Sequence, residues 1–246
     1  MPSIAKDSNQ SVIRITEHLE QVKKRISIAA QSAGRDPGAV SILAVSKQQP
    51  VAAIRAAISA GQTAFGENYL QEATRKIDAL TDTATEWHFI GKLQRNKTRS
   101  VAEKFSWLHT LDREQLAQRL NAQRPESLPP LNVCIQVKLA EEAGKAGIRP
   151  GDLGLLAMSI VEMRNLRLRG LMCIPPATSD PENARCYFRQ LRLLLEQLNQ
   201  KGFQLDTLSM GMSADMEVAV SEGATLVRVG TAIFGPRRAG QESGKD

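Results

Sequence analysis

Eight times along this chain a short apolar run rich in branched residues is followed by a stretch of helical period. The strand-like runs are Ile42 to Ser46, Thr63 to Phe65, Glu86 to Ile90, Trp107 to His109, Leu131 to Lys138, Leu166 to Met172, Leu205 to Leu208 and Thr225 to Val229. Between them, apolar residues recur at steps of three and four, as in Val51, Ile54 and Ile58 or Leu70, Ala73, Ile77 and Leu80. Every connection is long enough to return the chain parallel to the strand before it. Eight parallel strands close into a barrel, whereas open doubly wound sheets more often have fewer strands, and no strand here runs into a GxGxxG turn. The expected fold is a single α/β domain, a (β/α)8 TIM barrel.

An extra amino-terminal helix is expected ahead of it. Val12, Ile15, Leu19, Val22, Ile26, Ala29 and Ala33 form one apolar stripe, ended by Gly34. Residues 1–11 are polar and expected to fray, residues 12–235 to form the barrel, and residues 236–246 to form a polar tail. Before the long seventh helix, which ends at Gly202, Ser179 and Asp180 are N-cap candidates, with Pro181 suited to the first turn.

The net charge of +6 with only 4% aromatic residues supplies few stacking platforms for nucleic acid and suits an anionic small ligand better. Lys92, Arg95, Lys97, Arg99 and Lys104 read as the solvated face of one basic helix. Cys134, Cys173 and Cys186 are odd in number and widely spaced, which predicts reduced thiols, no metal site and a cytoplasmic location. No run is long enough to span a membrane, and the first residues do not resemble a signal peptide.

Three features carry chemistry. Lys47 follows a buried strand and precedes a helix start at Pro50, so partial desolvation would favour its neutral, nucleophilic amine. A lysine snorkelling into water competes with that reading. The seventh and eighth strands run into Ser209-Met210-Gly211-Met212-Ser213 and Gly230-Thr231-Ala232-Ile233-Phe234-Gly235. Both are glycine turns beside a helix start, in the loops where barrels of this kind often hold phosphate. Arg228 alternates with Val227 and Val229 and faces either a helix carboxylate outside or the barrel interior. If it faces inward, an amine, a guanidinium and a phosphate cradle share one mouth. Pyridoxal phosphate, with its aldehyde, ring nitrogen and phosphate, satisfies all three.

Val45-Ser46-Lys47, Phe65-Gly66-Glu67-Asn68-Tyr69, Trp87-His88-Phe89-Ile90-Gly91, Gly170-Leu171-Met172, Leu208-Ser209-Met210-Gly211-Met212-Ser213 and Val227-Arg228-Val229-Gly230-Thr231 occur in that order. Together they resemble the pyridoxal phosphate homeostasis protein family, from about residue 12 to Gly235. The resemblance implies a barrel similar to the amino-terminal domain of alanine racemase. It implies a Schiff base between Lys47 and pyridoxal 5'-phosphate, Arg228 facing the pyridine nitrogen, and Ser213, Gly230 and Thr231 as the phosphate cradle. Asn68, His88 and Met210 would lie near the mouth, and Lys145 would match a loop lysine of the family. Gln49, Lys92 and Arg95 depart from the family's usual lysine, proline and serine, so a spare amine near the site is missing. Read from the residues alone, His88 is equally a hydrogen-bonded structural histidine, Asn68 and Glu67 equally a helix cap, and Lys145 a solvated loop lysine.

An arginine opposite the ring nitrogen weakens the ring as an electron sink, and racemisation needs proton-transfer groups on both substrate faces. Alanine racemase takes its second base from a further domain that a chain of this length is expected to lack. The resemblance therefore implies a monomeric, non-catalytic binder that takes part in intracellular pyridoxal phosphate homeostasis, with transient contacts to apo-enzymes that need the cofactor and none to nucleic acid or membrane. The alternatives are a weak amino-acid racemase using His88 or Tyr69 as a base, and a Schiff-base aldolase acting on sugar phosphates.

Overall fold

Parallel pairing runs unbroken around eight strands and back to the first. The computed structural model describes residues 3–140, 146–178 and 180–236, with side chains from residue 12. Its strands are β1 (Ser41–Val45), β2 (Ala64–Glu67), β3 (Glu86–Phe89), β4 (Trp107–Leu111), β5 (Leu131–Gln136), β6 (Leu166–Met172), β7 (Thr207–Met212) and β8 (Leu226–Val229). They form a closed barrel in sequence order, and β1 pairs β8 from Ser41↔Leu226 to Ala44↔Val229. The helices are α1 (Ser3–Ser32), α2 (Val51–Ser59), α3 (Leu70–Ala79), α4 (Thr98–Lys104), α5 (Glu114–Gln123), α6 (Leu153–Val161), α7 (Arg185–Gln200), α8 (Met216–Ser221) and α9 (Thr231–Phe234). The expected (β/α)8 barrel with one extra helix is what forms.

Alternation along the strands sorts the side chains into two cores. Residues such as Ala44, Phe65, Phe89, Leu108 and Leu171 face outward and pack with the helices in one large cluster. The barrel interior holds two small apolar groups instead: Leu43, Ile90 and Leu226, with Val45 and Ala64 against them, and Trp107, Cys134 and Met172. Helix α1 buries Ile15, Leu19, Val22 and Ile26. It lies against α2, α8 and α9, bracing the side of the barrel where the sheet closes.

Several boundaries differ from the sequence reading. Helix α1 begins at Ser3, where a frayed segment up to residue 11 was expected; once a helix is nucleated, each further residue adds a hydrogen bond without needing an apolar face. Strand β7 runs to Met212 rather than stopping at Leu208, because pairing with β8 carries the chain through Gly211 in an irregular register between Ser209 and Met212. The basic run is not one helix but a 3-10 turn, Arg95–Lys97, leading into α4. Asp180 caps the turn at Pro181–Ala184, accepting from the N–H of Glu182 at 3.0 Å. Ser179, Lys145 and the tail beyond Pro236 lie outside the described residues. Among the described residues, no helix is long and apolar enough to cross a membrane.

Gly170 shows how closely the strands approach. A Cβ there would sit 1.8 Å from the carbonyl oxygen of Thr207, so β6 and β7 could not keep their spacing. Gly170→Ala is expected to lower stability by about 3 kcal/mol in a denaturant titration, the upper end of what overpacking usually costs. A change near zero would mean that the two strands can separate freely here.

Candidate functional site

Pairing of β1 extends one residue past its end, with Ser46 N–H donating to the carbonyl of Gly66 at 3.0 Å. Ser46 Oγ donates to Glu67 Oε1 at 2.6 Å, on the helix side of the sheet. Lys47, half-buried, comes next and opens the turn beyond the inward-facing Leu43 and Val45. The chain turns at once. Gln48 adopts φ 62°, a left-handed conformation uncommon outside glycine, and its N–H donates to Glu72 Oε1 at 2.5 Å. The turn closes with Gln49 N–H donating to the carbonyl of Ser46 at 3.0 Å.

A second lysine holds that turn from below. Lys76 Nζ, on α3, donates to the Ser46 carbonyl at 2.6 Å, to Glu67 Oε1 at 2.7 Å and to Glu72 Oε1 at 2.6 Å. An ammonium has three donors, and these contacts use all of them. Lys76 and Glu67 are both buried. Burial pushes the Glu67 carboxyl above the usual carboxylate range against the pull of Lys76, and its Oε2 has no hydrogen-bond partner among the described residues.

The two glycine turns come together beside this rim. Gly211 has φ 89°, and a Cβ there would lie 2.5 Å from that of Ala219, so the turn needs glycine. Ser213 Oγ accepts from the N–H of Ala232 at 3.3 Å, which joins the loop after β7 to that after β8. Gly230 backs onto the end of β1: a Cβ there would be 3.3 Å from the carbonyl oxygen of Val45. Thr231 is exposed and opens α9. Helix α1 fastens both loops. Arg25 donates to the Ser213 carbonyl at 3.2 Å and pairs with Glu217 at 2.6 Å, and His18 Nδ1 bonds the Ile233 carbonyl at 2.9 Å.

Arg228 faces the interior, in line with Leu226, and is buried. It donates to the carbonyl and hydroxyl of Ser209 at 2.6 and 2.8 Å and to the carbonyl of Cys173 at 2.9 Å. Burial lowers its pKa from the ordinary value, yet an arginine stays charged, and its guanidinium has donors left for a ligand. The same burial holds the thiols of Cys134 and Cys173 up at about 12, so neither offers a thiolate at neutral pH.

The remaining predicted residues divide. Asn68 stands at the end of β2 with its Oδ1 buried and without a hydrogen-bond partner among the described residues. Its backbone presses on Gly91, where a Cβ would meet the Asn68 carbonyl oxygen at 1.9 Å. His88 is level with Gly66 and Val45, one layer below Lys47, and bonds Glu86 Oε1 at 2.7 Å and His109 Nε2 at 2.8 Å. Met210 sends its side chain into the outer core, away from the interior. Lys47, Asn68, Ser213, Arg228, Gly230 and Thr231 thus gather at the carboxyl ends of β1, β2, β7 and β8. Sequence reading missed Lys76, Arg25 and the His109–Ser209 pair. Lys76 had a signal: it lies four residues after Glu72, on the face of α3 that Ala73 buries.

Comparison with known proteins identifies relatives of this fold. The family model for the alanine racemase N-terminal domain matches residues 18–238. The pyridoxal phosphate homeostasis protein of Pseudomonas aeruginosa is 55% identical over 223 residues, 91% of this chain and 96% of that protein. That of Escherichia coli strain K12 is 50% identical over 226 residues, 91% of this chain and 97% of that protein. Among solved structures, PipY of Synechococcus elongatus PCC7942 with pyridoxal phosphate bound matches with a TM-score of 0.79 at 40% identity, covering 90% of this chain and 100% of that one. Alanine racemase from Corynebacterium glutamicum shares the fold, with a TM-score of 0.63 at 17% identity over 64% of its chain.

Removing the buried ammonium under the Lys47 turn tests the clamp. Lys76→Met is expected to cost about 3 kcal/mol at neutral pH, because Glu67 is left as an uncompensated buried charge. Without Lys76 the folded Glu67 pKa rises further, so the variant binds a proton on folding and its deficit shrinks as pH falls. Denaturation curves at neutral and acid pH check this; a deficit that stays constant with pH would rule out the ion pair as its source.

Proposed function

This chain belongs to the pyridoxal phosphate homeostasis protein family, and on that premise we propose that it binds pyridoxal 5'-phosphate covalently through Lys47 and buffers the cofactor in the cytoplasm without sustained turnover. When bound, the cofactor supplies an aldehyde that a lysine amine captures as a Schiff base with release of water. The observation that carries the reading is the closure of β1 on β8, which sets the Lys47 turn beside Gly230 and Arg228.

The residues present fit this group. Asn68 Oδ1 is a buried acceptor without a partner among the described residues, a state that costs free energy unless a ligand satisfies it. The joined turns at Ser213 and at Gly230 to Ala232 present small side chains and backbone N–H groups suited to a phosphate. Arg228 is a buried cation with donors to spare, suited to donating to a ring nitrogen. Buffering needs only capture and release at Lys47, and the lysine is half-buried, within reach of incoming ligand.

The reading without turnover is supported by what His88 already holds. Both ring nitrogens of His88 are engaged, one by Glu86 and one by His109, so neither is available to move a substrate proton. The relatives at 50% and 55% identity are named as homeostasis proteins rather than as enzymes.

Purified protein is expected to be yellow, and Lys47→Ala to lose the visible band while retaining its fold by circular dichroism. Incubation of the loaded protein with single amino-acid enantiomers in deuterated water is expected to leave the α position unlabelled beyond a few turnovers. A visible band that survives in Lys47→Ala would remove the lysine from its role, and steady deuterium wash-in would make the protein a racemase or a related catalyst.

A further inference from the structure

Inside the barrel five polar side chains form one continuous string across the space between its two apolar groups. Glu86, at the amino end of β3, accepts from His88 Nε2 at 2.7 Å; His88 Nδ1 meets His109 Nε2 at 2.8 Å; His109 Nδ1 meets Ser209 Oγ at 2.8 Å; and Ser209 Oγ accepts from Arg228 at 2.8 Å. His88, His109, Ser209 and Arg228 are buried, while the Glu86 side chain is half-exposed. The string therefore begins at the barrel's wet amino-terminal face and ends at the guanidinium near the opposite mouth.

Its two ends fix its direction. An ionised carboxylate can only accept and a guanidinium can only donate. The His88 bond holds the Glu86 carboxyl below the usual range, so it is ionised at neutral pH. Burial lowers both histidine pKa values, that of His109 well below the ordinary value, so both rings are neutral and each carries one proton. His88 must then donate from Nε2 to Glu86 and accept at Nδ1. His109 must donate from Nε2 to His88 and accept at Nδ1. The Ser209 hydroxyl, which already accepts from Arg228, must give its own proton to His109. No other placement of one proton per ring satisfies every contact with the carboxylate ionised. Neighbouring groups lock the lower end: His88 stacks on Trp107 with ring centroids 5.2 Å apart, and Arg169, paired with Asp206 at 2.8 Å, lies 4.8 Å over the other side chain of that stack, Trp107.

We propose that Glu86, His88, His109 and Ser209 form a one-way hydrogen-bond relay that holds Arg228 as an oriented donor toward the ring nitrogen of the bound cofactor. Glu86 is thereby a positioning residue for a ligand at the far end of the barrel. The inference rests on the proposed cofactor reading for the ligand alone; the relay itself is a property of the unliganded chain. Its purpose is directional. With its own proton committed to His109, the Ser209 hydroxyl can meet Arg228 only as an acceptor, and the guanidinium can only donate.

The chain has three histidines, so their ring nitrogens can be resolved by long-range 1H–15N correlation on labelled, ligand-free protein. At neutral pH, His88 and His109 are expected as neutral rings protonated at Nε2, and His18 with a proton at Nδ1 facing the Ile233 carbonyl. In Glu86→Ala, the pattern of His109, which Glu86 does not touch, is expected to lose its single tautomer. A charged or Nδ1-protonated His88 or His109 in the wild type, or a His109 indifferent to Glu86→Ala, would overturn the relay. On the loaded protein, Glu86→Ala and Ser209→Ala are each expected to shift the visible band and to weaken cofactor retention about tenfold, with the double variant no worse than either alone. Additive effects, or none, would overturn the link to Arg228. A wild type that binds no pyridoxal phosphate would defeat the cofactor reading while leaving the imidazole result to decide the relay, and it also decides should the variants fail to fold.

Discussion

Pairing of the first strand with the last is the constraint from which the site follows. Lys47 and Gly230 are far apart in sequence, and in an open sheet β1 and β8 could lie at distant positions. Four residue pairs, Ser41↔Leu226 through Ala44↔Val229, bring their carboxyl ends level. The contact is close enough that Gly230 has little room for a side chain against Val45. Helix α1 adds a brace from outside the eightfold repeat, through Arg25 to the loop after β7 and through His18 to α9. The extra helix thus has a structural duty at the turns after β7 and β8 besides covering the barrel.

Buried charge is concentrated beneath the mouth rather than in it. On the helix side of the sheet, Lys76 binds Glu67, Glu72 and the Ser46 carbonyl, so the turn that carries Lys47 rests on a fully occupied ammonium. Inside the barrel, Arg228 ties β8 to β7 and to the residue after β6. Such groups contribute little net stability, since desolvation offsets most of the attraction, but breaking any one is costly. Their effect is to make one geometry of the mouth much better than its neighbours. A half-buried amine, a cation and two glycine turns can then meet a small anionic ligand with little rearrangement.

Much of this was legible in the residues. The eight strands could be counted because fully buried parallel strands are short and apolar, and Gly and Pro mark their ends. Lys47 stood out by its place after Leu43-Ala44-Val45, and the turns at Gly211 and Gly230 by small residues before helix starts. The direction of Arg228 was not legible, since alternation gives two faces without saying which is inside; the barrel's closure and the Ser209 contact decide it. The strand at Thr207–Met212 was read short because Ser and Gly resemble a loop until β8 supplies a partner. His109 and Ser209 are a hundred positions apart, and only the fold brings them within bonding distance. Met210 shows the reverse case: a motif residue whose side chain leaves the site for the outer core.

The central claim is that one amine at the end of β1 captures the cofactor. Borohydride reduction of pyridoxal phosphate-loaded protein followed by peptide mapping tests it most directly, because reduction freezes the bond wherever it has formed. The account predicts a single pyridoxyl adduct on the peptide containing Lys47, in substoichiometric to full yield with rising cofactor. An adduct distributed over exposed lysines, or carried by another lysine with Lys47 unmodified, would contradict it.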